Sequence, residues 1–324
     1  MSNIEIERPT KIYFGGVELP IPVFFPSVSS IKTNLLPVEY VQLLAASGIP
    51  QFLVSAYDVV NCPEKEEMAN AVNAALGERT VILLDSGNYE SFWMNDSSWT
   101  KERFHEVLKS HRWPIAFSFD VSCKHEMSSE DCAREIADAC SRDRSCGSNC
   151  ALLPIVHGLA ENLPDRCSMV ARLLNPLALA VPERELGDGI LARVHTVREI
   201  RRKLNQLGAY YPLHLLGTGN PRSILLYTAA GADMFDGLEW CQTVADPTSA
   251  LLFHFQQRDL LENQLITGQY QSYSETTLVH NLLFYASWMS QLRSALASDS
   301  MSHCIRERFS PPTAAKIEAT VYGH

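Results

Sequence analysis

Leu83-Leu84-Asp85-Ser86-Gly87 and Asp233-Met234-Phe235-Asp236-Gly237 each carry a short apolar run into an aspartate and then into glycine. A buried strand that ends on an acid has this form. In an α/β barrel the C-terminal ends of the strands hold the chemistry, because the loops there are solvated while the strands beneath keep them rigid. If these two segments are barrel strands, the chain should supply six more.

It does. Short β-prone runs occur at Ile21 to Phe25, Gln51 to Ser55, Thr80 to Leu84, Ile115 to Phe119, Ala151 to Val156, Leu177 to Val181, Leu213 to Leu216, and Met234 to Phe235. Between them lie segments of helical periodicity: Pro37 to Ala46, Glu64 to Leu76, Thr100 to Ser110, Ser129 to Ala139, Pro164 to Leu174, Leu191 to Leu207 and Arg222 to Ala230. Eight strands, each followed by a crossover, predict an α/β fold of the (β/α)8 TIM-barrel type. A doubly wound open sheet competes. It usually shows a glycine-rich turn after its first strand, and Phe24-Phe25-Pro26-Ser27-Val28-Ser29-Ser30 has none. Beyond the eighth strand, Pro247 to Gln256 and Thr276 to Ala297 read as extra C-terminal helices with apolar residues at spacings of three and four. The reading is one barrel domain over residues 1–300 and a tail over 301–324, whose stretch from Ser310 has no assignment.

Composition bounds the function. The 324 residues are 46% hydrophobic, enough for a full core, and the net charge of −10 argues against nonspecific wrapping of a polyanion. No apolar stretch suits a bilayer span, and Met1-Ser2-Asn3-Ile4-Glu5-Ile6-Glu7 lacks the regions of a secretory signal, so a cytoplasmic protein is expected. Nine cysteines, an odd number, argue for reduced thiols. The dense group Cys123, Cys132, Cys140, Cys146 and Cys150 has no Cys-x-x-Cys pair, so no metal site and no cofactor are expected.

Taken in order, the strand ends converge on one mouth. They supply Tyr57 and Asp58; Asp85, Ser86, Gly87, Asn88, Tyr89 and Glu90; Asp120 and Ser122; His157 and Gly158; Glu183; Gly217-Thr218-Gly219-Asn220; and Asp236 and Glu239. Carboxylates accept from base N–H groups, an aromatic ring can stack on a base, and an unpaired carboxylate can attack an oxocarbenium-like sugar carbon. N-glycosidic chemistry on a nucleobase fits this set. Each residue also has a plainer role. Asp85 can cap the next helix, His157 can be a structural histidine, and Glu183 can be a solvated loop residue beside Arg184 and Glu185. Tyr89 and Leu216 can be packing residues.

At these residues the chain resembles the tRNA-guanine transglycosylase superfamily, which exchanges guanine for 7-deazaguanines. The family's Asp-Ser-Gly-Gly-Phe/Tyr-Gln is matched by Asp85-Ser86-Gly87-Asn88-Tyr89-Glu90, its Phe-Asp by Phe119-Asp120, and its Val-Gln-Gly by Val156-His157-Gly158. Its Leu-Ala-Val-Gly-Glu is matched by Leu179-Ala180-Val181-Pro182-Glu183, its Met-Gly-Val-Gly-x-Pro by Leu216-Gly217-Thr218-Gly219-Asn220-Pro221, and its Asp-Met-Phe-Asp-Cys by Asp233-Met234-Phe235-Asp236-Gly237. The matches keep family order from Pro22 to Gly237.

The resemblance implies a pentosyltransferase in which Asp236 attacks ribose C1′ and Asp85 is the general acid/base. Asp120 would hold the guanine edge, Tyr89 and Leu216 would sandwich the ring, and His157, Gly158, Ser122 and Glu183 would line the base site. It implies a nucleic-acid substrate, DNA or an atypical RNA, and an incoming base of the preQ0, preQ1 or queuine type. The family's zinc subdomain, Cys-x-Cys-x-x-Cys plus His, has only Cys241 and Cys304 as downstream cysteines here, so it is expected to be absent. The arginine-bearing segment that grips tRNA is replaced by Leu238-Glu239-Trp240-Cys241-Gln242. A hydrolytic N-glycosidase and a noncatalytic subunit of a heteromeric enzyme, with a partner supplying the nucleic-acid grip, are the alternatives.

Overall fold

The computed structural model describes residues 6–14, 16–77, 80–121, 127–146, 149–265 and 272–323. An antiparallel hairpin, β1 (Lys11–Phe14) and β2 (Val17–Pro20), precedes eight parallel strands. These are β3 (Val23–Val28), β4 (Gln51–Ser55), β5 (Val81–Asp85), β6 (Ile115–Phe117), β7 (Ala151–Leu153), β8 (Leu179–Pro182), β9 (Leu213–Leu216) and β10 (Met234–Gly237). Their order is β7-β6-β5-β4-β3-β10-β9-β8. The two end strands meet through the parallel bridge Ile155–Ala180, with Val156 N donating to Ala180 O at 2.8 Å and Ala180 N to Pro154 O at 2.9 Å. The sheet therefore closes on itself, and the open-sheet alternative falls away.

Strand side chains alternate between two cores, as a period of two requires. Val23, Phe25, Leu53, Val81, Leu83, Ile115, Phe117, Leu153, Ala180 and Met234 fill the barrel, and Ile12, Phe14 and Leu19 of the hairpin join them. Phe24, Phe52, Val54, Ile82, Leu84, Ala116, Leu152, Val181, Leu215 and Phe235 face the helices.

Those helices are α1 (Pro37–Ala46), α2 (Ala56–Asn61), α3 (Lys65–Gly77), α4 (Asn88–Met94), α5 (Lys101–Ser110), α6 (Ser129–Ser145), α7 (Leu163–Leu174), α8 (Ile190–Leu204) and α9 (Pro221–Ala230). A short α10 (Glu239–Gln242) follows the last strand. At α9, Pro221 occupies the first turn and the Asn220 side chain accepts from Arg222 N and Ser223 N, so the cap is encoded locally.

Pro247 to Gln256 is not a helix. Strands β11 (Thr243–Ala245) and β12 (Leu252–His254) pair antiparallel there, followed by a 3-10 turn at Phe255–Leu260. The cause is Asp246: its carboxylate accepts from Thr248 N at 3.0 Å, Ser249 N at 3.3 Å and Ser249 Oγ at 2.5 Å. Such side-chain bonds hold a turn against the helical alternative. Helix α11 (Tyr273–Ala297) covers β3 and α9, stacking Tyr285 on Phe24 at 4.3 Å and donating Tyr285 OH to Gly219 O at 2.6 Å. The stretch from Ser310 onward forms α13 (Pro311–Tyr322), after α12 (Met301–Arg308). Ala314, Ile317 and Val321 bury the inner face of α13, and Arg198 of α8 donates to Thr320 O at 2.8 Å.

The N-terminal end of β10 is held by a buried ion cluster. Asp233, fully buried, accepts from Arg8 Nε at 2.8 Å, Arg201 Nη2 at 2.8 Å, Tyr210 OH at 2.7 Å and Leu213 N at 2.9 Å. Removing one member of a buried charge cluster leaves the others uncompensated. Asp233→Ala should therefore lose about 3–5 kcal/mol of stability, read as a lower midpoint in urea unfolding at unchanged slope.

Candidate active site

Strand parity decides which polar groups reach the mouth. Continuing each inward row gives Ser27 after Phe25, Ser55 after Leu53, Asp85 after Leu83 and Asp236 after Met234. Asp236 is nearly buried and accepts three hydrogen bonds. Ser27 Oγ donates to Oδ2 at 3.1 Å, while His214 Nε2 at 2.8 Å and Gly217 N at 3.2 Å reach Oδ1. His214 is wholly buried in the barrel, its ring 5.1 Å from that of Phe117 and 6.0 Å from that of Phe25. Its Nδ1 has no hydrogen-bond partner among the described residues. The tautomer carrying hydrogen on Nε2 therefore serves Asp236 and leaves only a lone pair in the apolar core. One carboxylate oxygen edge is thus fixed by the strand ends around it.

Asp85 ends β5 and accepts from Gly87 N at 2.9 Å. Gly87 has φ +83°, and a Cβ there would lie 2.7 Å from Tyr57 N, so the turn into α4 requires glycine. Burial, and then the charges of Asp236 and Asp120, push the Asp85 carboxyl up to about 7, against the pull of the Gly87 N–H. Such a group gives and takes a proton near neutrality. Deeper in the same corner, Glu90 is buried and accepts from Ser29 Oγ at 2.5 Å and Ser55 Oγ at 2.6 Å. Burial and the neighbouring Asp58 and Asp85 raise it to about 8. Two indoles hold the strand ends: Trp99 Nε1 donates to Ser86 O at 3.0 Å and Trp240 Nε1 to Ser27 O at 2.8 Å.

Across the mouth, His157 lies between two carboxylates, with Nε2 2.5 Å from Asp120 Oδ1 and Nδ1 2.6 Å from Glu185 Oε1. Burial opposes its charge, but the hydrogen bonds to Asp120 and Glu185 outweigh it and lift the imidazole to about 9. Gly158 N also donates to Glu185, at 2.8 Å. Glu185, not Glu183, is therefore the acid bound to His157. Glu183 accepts from Tyr227 OH at 2.7 Å and pairs with Arg193 at 3.0 Å. Leu216 borders the inner core, and Tyr89 stands exposed at the rim. Ser122 lies outside the described residues. Glu239 folds its carboxylate over Gly219 and Gly237, where a Cβ on either would come within 2.4 Å of Glu239 Oε2. Burial, with the charges of Asp236 and Glu183 adding to it, raises that carboxyl to about 7.

The sequence pattern of the family TGT, queuine tRNA-ribosyltransferase, matches residues 5–256 of the chain. The chain belongs to this family. It is also 24% identical over 237 residues to the tRNA-guanine(15) transglycosylase of Korarchaeum cryptofilum (strain OPF8), a match covering 68% of this chain and 38% of the relative. The chain thus spans well under half the length of that curated relative.

As a member of the queuine tRNA-ribosyltransferase family, the chain departs from the family motifs at sites whose surroundings explain the change. Glutamate at Glu90 sits where the motif has glutamine, between two serine hydroxyls that can serve either side chain. Histidine at His157 replaces another glutamine and brings its own acid, Glu185. The two cysteines downstream of Asp236 have different surroundings. Cys241 is buried, its Sγ donating to Leu238 O at 3.2 Å, and Cys304 lies on α12. Among the described residues no cluster of three or more His, Cys, Asp and Glu is disposed to hold a metal ion. Cys132 is disulfide-bonded, a departure from the reduced thiols expected, whereas Cys62, Cys140, Cys146, Cys167, Cys241 and Cys304 are free. Among the described residues no helix is long and apolar enough to cross a membrane.

Glu90 has a consequence for stability. Its folded pKa, about 8, lies above its ordinary value of 4.5, so its share of stability is full below about pH 4.5 and is lost as pH rises toward 8. Glu90→Gln should remove that loss. We expect the variant to stay close to the parent at pH 5 and to exceed it by a few kcal/mol at pH 8.5, because each tenfold rise in the proton affinity of a folded group is worth roughly 1.4 kcal/mol. Paired urea titrations at the two pH values measure the difference.

Proposed function

We propose that the chain is a base-exchanging pentosyltransferase that replaces guanine in a nucleic acid with a 7-deazaguanine of the preQ0, preQ1 or queuine type. The observation that carries this reading is the pair of inward acids: Asp236, held by three hydrogen-bond donors, and Asp85, poised near neutrality and sensing the Asp236 charge. The Asp236 carboxylate attacks C1′, the C1′–N9 bond breaks toward guanine, and Asp85 protonates the departing base. The incoming base gives its N9 proton to Asp85, attacks C1′ and releases Asp236. Asp120 offers its carboxylate to the base N–H edge, with the His157 N–H groups between Asp120 and Glu185 fixing it. His214 acts through Asp236 as a positioning residue.

The polymer is DNA or an atypical RNA in this reading. Supporting that choice, Leu238 to Gln242 carries no arginine where the family grips tRNA, and a protein partner supplying part of the grip belongs to the same reading. Transfer of the sugar to water is the second reading. Glu239, beside Asp236 and raised to about 7, favours it, since such a carboxyl can activate water.

Labelled guanine and labelled 7-deazaguanine, each offered with DNA and with tRNA, separate these readings. Uptake of label into one polymer is expected, and guanine release without uptake marks hydrolysis. Asp236→Asn should lower exchange by on the order of 10³ or more, and denaturing electrophoresis of the parent under turnover should trap an Asp236-linked adduct. The parent's pH–rate profile should show a limb near 7 that Asp85→Asn removes. His214→Phe should cost kcat roughly tenfold to a hundredfold, the worth of one hydrogen bond to a carboxylate.

A further inference from the structure

Helix α4 turns four large apolar side chains to solvent: Tyr89 at 41% exposure, Phe92 at 73%, Trp93 at 46% and Met94 at 50%. A seven-residue helix gains nothing in water from such a face, and contiguous exposed apolar surface marks a contact site. The rings form one array. Trp93 lies 5.8 Å from Phe92 and 6.3 Å from Tyr89, both edge to face, and Lys32 Nζ stands 4.2 Å from the centre of a Trp93 ring.

The array belongs to the rim of the pocket. Helix α4 begins at Asn88, directly after Gly87, whose N–H is bound to Asp85, and Lys32 lies in the loop between β3 and α1. The Lys32 carbonyl accepts from Gln242 Nε2 at 3.1 Å, and Gln242 ends the helix that follows Asp236. The cation and the aromatic face are therefore tied between the loops of the two acids.

We propose that Phe92, Trp93 and Lys32 form a stacking platform for the nucleotides that flank the exchanged guanosine in a single-stranded or everted stretch of the substrate. This rests on the guanine-exchange reading of the pocket. A base withdrawn into the barrel leaves its neighbours unstacked, and aromatic faces replace that stacking. Lys32 meets the phosphate beside them. For a chain of net charge −10, stacking holds a polyanion without a broad basic surface. A protein seated on α4 would instead lie across the mouth that the polymer enters.

The test uses short single-stranded DNA and RNA oligonucleotides with a central guanine, followed by anisotropy of a labelled strand and by tryptophan emission. The double variant Phe92→Ala, Trp93→Ala should weaken binding about tenfold to a hundredfold at unchanged melting temperature, with the loss in turnover falling on KM. Trp93→Phe should restore most of it. Lys32→Ala should reduce the salt slope of binding by about one. Unchanged affinity and KM in the double variant overturn the platform, as does a parent that binds none of the oligonucleotides. Loss of self-association in the double variant at unchanged oligonucleotide affinity also overturns it. The two readings separate cleanly. Binding that depends on Phe92 and Trp93 in a protein without exchange sinks the activity but keeps the platform, whereas exchange indifferent to them does the reverse.

Discussion

Closure of eight parallel strands, read with a period of two, is the constraint on which everything else rests. It sends alternate residues into the barrel and brings all strand C-termini to one end. Along β10 and the residue before it, the odd spacing between Asp233 and Asp236 puts them on opposite faces. One is locked to Arg8 and Arg201 at the closed end, and the other is delivered to the open mouth. A register slip of one residue would exchange their fates, burying the mouth carboxylate among helices and an ion-pair anchor in the apolar interior.

The mouth concentrates acids that repel one another, and it tolerates them by two routes. Asp85, Glu90 and Glu239 have their carboxyls raised toward or past neutrality by burial, with neighbouring charges adding to it, so part of the negative charge is cancelled by bound protons. Asp120 and Glu185 instead share one imidazole. Asp236 is held differently again. A hydroxyl, a backbone N–H and a histidine embedded in the apolar core donate to it, an arrangement that fixes the orientation of the carboxylate.

Much of this is legible in the amino-acid sequence, because the strands are apolar runs that stop abruptly at polar residues. Gln51 to Ser55, Leu213 to Leu216 and the helix Pro37 to Ala46 fall where periodicity puts them. Ser27 is hidden because Pro26 reads as a terminator, yet β3 carries the proline inside, opposite Gly237 of β10. His214 looks like an incidental polar residue in Leu213-His214-Leu215-Leu216. Its signal is parity with the inward-facing Leu216. Glu183 and Glu185 flank one arginine with nothing local to separate them, and only the tertiary positions of Arg193, Tyr227 and His157 do so. Pro247 to Gln256 has helical spacing, but the Asp246 side chain satisfies the backbone another way.

The two indole clamps have a further consequence. Trp99 and Trp240 each pack edge-on against a tyrosine, Tyr57 and Tyr40, and each hold a carbonyl next to an acid-bearing or acid-serving strand end. Displacement of either loop exposes its indole to water and severs that bond. The protein thus carries a native optical probe on each flank of its cavity, and in a Trp93→Phe background, which removes the exposed indole of α4, a gain in red-shifted emission quenched by iodide would register the cavity's breathing without any attached dye.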